Sequence, residues 1–242
     1  MVINLVGKFS NLWGAEHLCK KGFEELGHEV NGLELTHGYA ILRNIKVGAL
    51  TIVMQGYGKS PKLFESMHRL TKKPVVLWHA EVMSPSWPTD DDVVLAKAEQ
   101  LKLIVGSFDA VGHNCHCCLS TIEALGGKNV FWAPNNGVDS RVHRRIDSIK
   151  KKYSIGAYGY LSPRRVELLR WLYSEGIKVE YRLPEDKCFG EELIRFINEC
   201  HSVINFHFSE SPNTENRLYE VMGCGVPVIS EPISMPELFP FL

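Results

Sequence analysis

The stretch Ser209-Glu210-Ser211-Pro212-Asn213-Thr214-Glu215-Asn216-Arg217-Leu218-Tyr219-Glu220-Val221-Met222-Gly223-Cys224-Gly225-Val226-Pro227-Val228-Ile229-Ser230 decides how the chain is read. It follows an apolar run at 203–208 and passes through a polar loop into a helix at 215–222, which Asn213 or Thr214 is placed to cap. Gly223 and Gly225 stop that helix, and a second apolar run at 226–230 follows. Apolar run, polar loop, helix, glycine, apolar run is the pattern of parallel strands joined by a helix.

The same rhythm extends towards the N-terminus. Strands are predicted at 154–161 and 178–183, with helices at 164–175 and 191–200. Before them lies a basic stretch holding Arg141, Arg144, Arg145, Lys150, Lys151 and Lys152, which reads as a solvated linker. An earlier alternation places strands at 2–6, 29–35, 50–55, 75–79, 101–106 and 130–133. Helices fit between them at 15–26, 59–71, 91–99 and 115–125. The restart after a charged linker predicts two α/β domains, 1–150 and 151–242, with no short-period repeat.

Bulk properties narrow the function. The chain has 242 residues, 45% of them apolar, enough for a substantial core. Lys+Arg number 27 against 28 Asp+Glu, a net charge of -1, which lacks the basic excess of a protein that coats nucleic acid. The apolar start is too short for a targeting segment or membrane span, and seven cysteines make no even disulfide set. Reduced thiols in the cytoplasm are the expectation.

In open parallel sheets, ligands bind beyond the carboxyl ends of the strands, where helix N-termini present N–H groups. Four such places carry suitable chemistry. The first is the loop and helix at 209–222, with Asn213, Thr214, Glu215 and Asn216 at its start. Amides of its first turn suit a diphosphate, Arg217 a phosphate oxygen, and Glu220 a ribose diol. An i,i+3 surface ion pair between Arg217 and Glu220 explains the same residues without a ligand. The second is Arg164 and Arg165, which open a helix after a glycine-containing turn; cations there oppose the helix dipole, which favours a bound anion. The third is His79, ending an apolar strand, with Glu81 beside it as a second candidate base. The fourth is the loop after the first strand, with Lys8, Gly14 and Glu16 as contacts for an acceptor or a phosphate. The cluster His113-Asn114-Cys115-His116-Cys117-Cys118 is followed by no second ligand pair of a tetrahedral zinc site; Cys115 and Cys118 share a helix face and read as small packing residues, and no metal is expected.

The run from Glu220 through Gly223 and Gly225 to Pro227-Val228-Ile229 resembles the donor-binding segment of GT-B glycosyltransferases, family 4 in particular. Gly14-Ala15-Glu16 with Leu26-Gly27-His28-Glu29-Val30, and Pro134-Asn135-Asn136-Gly137-Val138-Asp139, resemble that family's first helix, second strand and domain end. Arg217 before Glu220 also looks like a phage DNA β-glucosyltransferase. The resemblance implies two Rossmann-like α/β/α domains facing a cleft, the second one minimal. It implies hexose transfer from a UDP- or GDP-sugar, UDP-glucose favoured, to a carbohydrate or glycan hydroxyl, with retention and no metal. Glu220 would hold the ribose, Arg164, Arg165 and Arg217 the diphosphate, and His79 the sugar. The sequence departs from the family at Pro212, where the first Glu of a spaced pair belongs, and at Trp13-Gly14, where a double glycine belongs. DNA-base glucosylation, nucleotide-sugar epimerisation and an inactive nucleotide-binding remnant are the alternatives. Nucleic acid is disfavoured by the charge.

Overall fold

Along the first apolar run, side chains alternate between two layers, with Ile3 and Leu5 packing in one cluster and Val6 in another. A strand buried on both faces in this way belongs inside a helix-covered parallel sheet. The computed structural model describes residues 1–10, 14–35, 38–81, 83–84, 92–134, 138–186, 188–208, 212 and 215–234. It divides into two compact units, Met1–Gly137 and Val138–Leu242. Among the described residues, no helix is long and apolar enough to cross a membrane.

The first unit carries β1 (Val2–Gly7), α1 (Ala15–Glu25), β2 (Glu29–Glu34), α2 (Gly38–Asn44), β3 (Leu50–Met54) and α3 (Pro61–Thr71). It continues with β4 (Val75–His79), α4 (Asp92–Ile104), β5 (Ala110–His113), α5 (Leu119–Ala124) and β6 (Val130–Trp132). The strands form one sheet in the order β2-β1-β3-β4-β5-β6, and every pairing is parallel. Cys19 and Phe23 of α1 pack with Ile3, Leu5, Ile52 and Met54 on one face. Ile41, Phe64, Met67, Leu101 and Ile122, from α2 to α5, cover the other with Val6, Val53, Leu77 and Val111. Burying a side chain such as Phe64, fully enclosed, stabilises the unit by about 1.5–3 kcal/mol.

The second unit carries β7 (Tyr153–Tyr158), α6 (Pro163–Ser174), β8 (Glu180–Arg182), α7 (Gly190–Glu199), β9 (Cys200–Asn205), α8 (Asn216–Gly223) and β10 (Val228–Ser230). Its sheet, β10-β9-β7-β8, is again wholly parallel. Leu168, Leu169 and Leu172 of α6 lie on one face, and Ile194, Ile197 and Val221 of α7 and α8 on the other. In both units the first strand is flanked by the second and the third, so the winding reverses beside it. That reversal is where a parallel sheet leaves a crevice for a ligand.

Three expectations need correction. Residues 101–106 are not a strand, because α4 runs to Ile104 and a 3₁₀ turn covers Val105–Ser107. Val94, Ala98, Leu101, Val105 and Phe108 are all buried, at spacings of three and four residues, which is the helical period. The strand is β5 instead, a four-residue piece whose Gly112 leaves room for the Phe131 ring. The short helix α2 had no counterpart in the sequence reading.

The division between units falls at Gly137 and Val138. Asn198 of α7 explains why: its side chain accepts from the Ile146 amide at 2.9 Å and donates to the Arg144 carbonyl at 3.1 Å. Val142 and Ile146 then pack on the second unit's core. Lys151 donates to the Cys200 carbonyl at 2.6 Å and Lys152 pairs with Glu199, so the basic stretch is stitched to α7 and β9.

Candidate functional site

In the second unit, the carboxyl ends of β7 and β9 bring together most of the donor-binding candidates. Ser162 caps α6 by accepting from the Arg165 amide at 3.3 Å, and Pro163 fills the first helical position. This cap sets Arg164 and Arg165 on the first turn, immediately after β7. The two arginines then diverge. Arg165 is buried and donates to the Phe206 carbonyl at 2.7 and 3.0 Å, to the Tyr160 carbonyl at 2.8 Å and to Glu215 at 3.0 Å. Arg164 is partly exposed and forms a two-point pair with Glu231, just past β10.

Arg217, on the first turn of α8, reaches the same buried centre. It donates to Asn205 Oδ1 at 2.9 Å, to the Tyr158 carbonyl at 2.7 Å, and to Phe206 O and Glu215 Oε2 at 3.3 Å each. Its guanidinium carbon lies 4.8 Å from the centre of the Tyr158 ring. Gly159 is needed here: its φ is +111°, and a Cβ would stand 2.9 Å from Arg217 Nη2.

Glu215 was expected among the ligand contacts at the helix start. Its position is the N-cap of α8, but its carboxylate makes no capping bond. It turns inward instead, between Arg165 and Arg217, and accepts from the Phe208 amide at 3.0 Å. Two guanidiniums attract it more strongly than one helix terminus. Asn213 and Thr214, the caps expected from the sequence, lie outside the described residues.

Glu220 faces a different partner. The Tyr158 hydroxyl donates to its Oε2 at 2.6 Å, so Glu220 is held by the first strand of the sheet, and Arg217 is engaged with Glu215 and backbone carbonyls. Burial first, and the Glu220 charge second, push the Tyr158 phenol well above its ordinary range, which keeps it a donor.

Three buried polar atoms where β9 leads into α8 have no hydrogen-bond partner among the described residues: His207 Nδ1, Asn216 Oδ1 and Arg217 Nε. His207 was missed in the sequence, although it lies just past an apolar strand as His79 does at its own strand's end; its amide donates to Glu231 at 2.7 Å. Burial works against ionisation of Glu231, yet Arg164 and the His207 amide together hold its carboxyl below its ordinary range.

In the first unit, His79 ends β4 in register with His113 at the end of β5. Both rings are fully buried. His79 Nδ1 lies 3.0 Å from His113 Nδ1, so one ring donates and the other accepts, while His79 Nε2 meets the Tyr57 hydroxyl. Burial, reinforced by His113 and Lys97, lowers His79 well below its ordinary range, and burial brings His113 down to about 4. Both rings are therefore neutral near pH 7. Tyr57 is raised, by burial and then by the charge of Glu81. Glu81 pairs with Lys97 and is partly exposed. Tyr57 was not singled out in the sequence, and His113 only as part of the His/Cys cluster at 113–118, because only the sheet places them beside His79.

The loop after β1 is fixed by two carboxylates. Glu16 accepts from the Lys8 amide at 3.2 Å and Glu34 from the Phe9 amide at 2.8 Å. Glu16 is buried against Gly7, where a Cβ would come within 2.4 Å of its Cγ. Gly14 stands at the N-cap of α1, and Lys8 is exposed. Among the described residues, the group whose ligand atoms converge as for a metal is Cys115, Cys117 and Cys118.

No family model matches this chain. No curated protein matches it either. Solved structures do. The chain is similar to Anabaena Alr3699/HepE in complex with UDP, with 13% identity and a TM-score of 0.53 over 98% of this chain and 83% of that one. It is similar to the complex of the same protein with UDP-glucose, with 14% identity and a TM-score of 0.57 over 98% and 82%. At such identity the likeness concerns the fold, and the chain shares the fold of HepE.

Proposed function

We propose that this chain is a GT-B glycosyltransferase that moves a hexose from a nucleoside-diphosphate sugar, UDP-glucose favoured, to a carbohydrate hydroxyl. The observation that carries the reading is Glu220, held by Tyr158 at the carboxyl edge of the second sheet, on the helix that follows β9. An acidic group in such a place suits the two hydroxyls of a ribose. A shared fold with a protein crystallised with UDP and UDP-glucose supports it, as does the family 4 likeness of residues 220–229.

In this reading the diphosphate lies against the first-turn amides of α8, near Asn216. Arg165 and Arg217 supply fixed positive charge from below, since carbonyls and Glu215 already occupy their Nη groups. Arg164 is the guanidinium nearer solvent, and a diphosphate reaches it by displacing Glu231. Charge that develops on the leaving UDP then meets donors already in position, without reorganisation and without a metal. In the first unit, Glu81, paired with Lys97, is the carboxylate assigned to the acceptor hydroxyl. His79 acts through Tyr57, which it holds close enough to Glu81 to feel its charge. Lys8, Gly14 and Glu16 shape the loop beside the acceptor. Retention at the anomeric carbon follows from the family likeness.

The test is a thermal-shift screen against UDP-, GDP-, ADP- and dTDP-glucose, followed by assay of UDP release with a panel of glycan acceptors. A shift largest for the UDP-sugar, and release that needs an acceptor, is the expected result. Absence of a shift with every nucleotide sugar defeats the proposal, and conversion of the donor to an isomeric sugar nucleotide, with no acceptor and no UDP released, points to epimerisation instead.

A further inference from the structure

Beyond β5 the chain turns through Cys115-His116-Cys117-Cys118 before α5 begins. The Cys118 amide donates to the Cys115 carbonyl at 3.2 Å, closing a tight 3₁₀ turn, and this brings the three sulfurs to one side. Cys115 Sγ and Cys117 Sγ are 3.1 Å apart, Cys117 Sγ and Cys118 Sγ 3.8 Å, and all three lie within 4.8 Å of one another. Three thiolates around a zinc ion at about 2.3 Å, with tetrahedral angles, are about 3.8 Å apart. Changes of about 1 Å or less in the sulfur separations would therefore seat an ion.

Apolar packing accounts for part of this arrangement. Cys115 and Cys118 are buried members of the first unit's core and serve there as small hydrophobes. Cys117 packs against the same core but is only partly buried, and its sulfur lies 3.1 Å from that of Cys115. Convergence of all three sulfurs is the arrangement that ligation requires. The paired spacings of a four-ligand structural site are missing, but a site with three protein ligands and one exchangeable position needs no second pair.

We propose that Cys115, Cys117 and Cys118 bind a thiophilic d10 cation, zinc(II) foremost, with water in a fourth position on the more open Cys117 side. Each sulfur gives up its proton as it takes the metal, so three thiols, one Zn²⁺ and one water yield a tris-thiolate aquo complex and three protons. A divalent cation replaces the protons of the three thiols and draws their sulfurs together. The proposal does not depend on the glycosyltransferase reading, and its test contains no sugar nucleotide.

The full chain, reduced with a phosphine and freed of metal, is titrated with cobalt(II) and then zinc(II). The expected result is a thiolate-to-cobalt charge-transfer band that saturates at one equivalent, is bleached by zinc, and is lost in the Cys115→Ser/Cys118→Ser variant. Maleimide mapping on the wild type covers the case where that variant does not fold: zinc should protect Cys117 from labelling, scored against total cysteine labelling after denaturation and chelation. Absence of the band in the wild type, or equal labelling of Cys117 with and without zinc, overturns the proposal. A Cys115–Cys117 disulfide in untreated protein, with no metal uptake after reduction, overturns it too and marks the pair as redox-active.

Discussion

Arg217→Met should act on stability and Arg164→Ala on ligand affinity, although both arginines stand at the same sheet edge. The Arg217 side chain is 8% exposed and serves four acceptors: Asn205, Glu215 and the carbonyls of Tyr158 and Phe206. Methionine keeps much of the stem but removes the charge, leaving the Tyr158 carbonyl and Asn205 without that donor. Breaking a buried pair by removing one partner costs about 3–5 kcal/mol. Arg165 still holds Glu215 at 3.0 Å and Phe206 O at 2.7 Å, so the lower end, about 3 kcal/mol, is expected. For a unit of this size that lowers the melting temperature by roughly 10 °C or more. Arg164 and Glu231 are 30% and 22% exposed, and such a pair contributes about 0.2–1 kcal/mol. Arg164→Ala should therefore melt within a few degrees of the wild type. It should nevertheless bind UDP roughly tenfold more weakly or worse, as loss of a charge-assisted bond predicts. Differential scanning fluorimetry and UDP calorimetry, run well below both transitions, measure the two effects. The reasoning is refuted if Arg217→Met melts with the wild type, or if Arg164→Ala falls as far as Arg217→Met.

Tyr158→Phe removes the hydroxyl that orients Glu220, so UDP affinity should drop by roughly 5- to 30-fold with the fold intact, checked by circular dichroism and calorimetry. Gly159→Ala places a Cβ against Arg217 at a φ of +111°; a loss of about 1–3 kcal/mol in urea unfolding is expected, and an unchanged midpoint would show that the turn relaxes freely. His79 is depressed below its ordinary range, so the unfolded chain binds the proton more readily. Its contribution to the first unit is complete above about pH 6.5 and declines as the pH falls towards the folded value. His79 is faced by Tyr57 and His113 and feels the charge of Lys97, with Glu81 acting on Tyr57, and His79→Gln should flatten the fall in melting temperature between about pH 6.5 and 4.5.

The alternation of apolar runs with glycine-stopped helices made most of the strand order along the chain readable, because each parallel crossover leaves its own local trace. β5 escaped notice since Ala110-Val111-Gly112-His113 is short and interrupted by glycine, while the richer apolar run at 101–106 belongs to a helix face. The importance of residues 215–220 was legible from the loop-helix-glycine pattern; the direction in which Glu215 and Glu220 turn was not. That direction depends on Arg165 and Tyr158, 50 and 62 residues away in the chain. Tyr57 and His113 likewise meet His79 only once neighbouring parallel strands bring their carboxyl ends together. Convergence of Cys117 with Cys115 and Cys118 depends on a 3₁₀ turn, which helical spacing alone does not anticipate.

Calorimetry of UDP and of its dideoxyribose analogue, on the wild type and on Glu220→Gln, reaches the central claim most directly. If Glu220 grips the ribose diol, the substitution weakens UDP by more than about tenfold and leaves the analogue almost unchanged. Equal loss for both ligands, or UDP binding as tight in Glu220→Gln as in the wild type, contradicts the assignment.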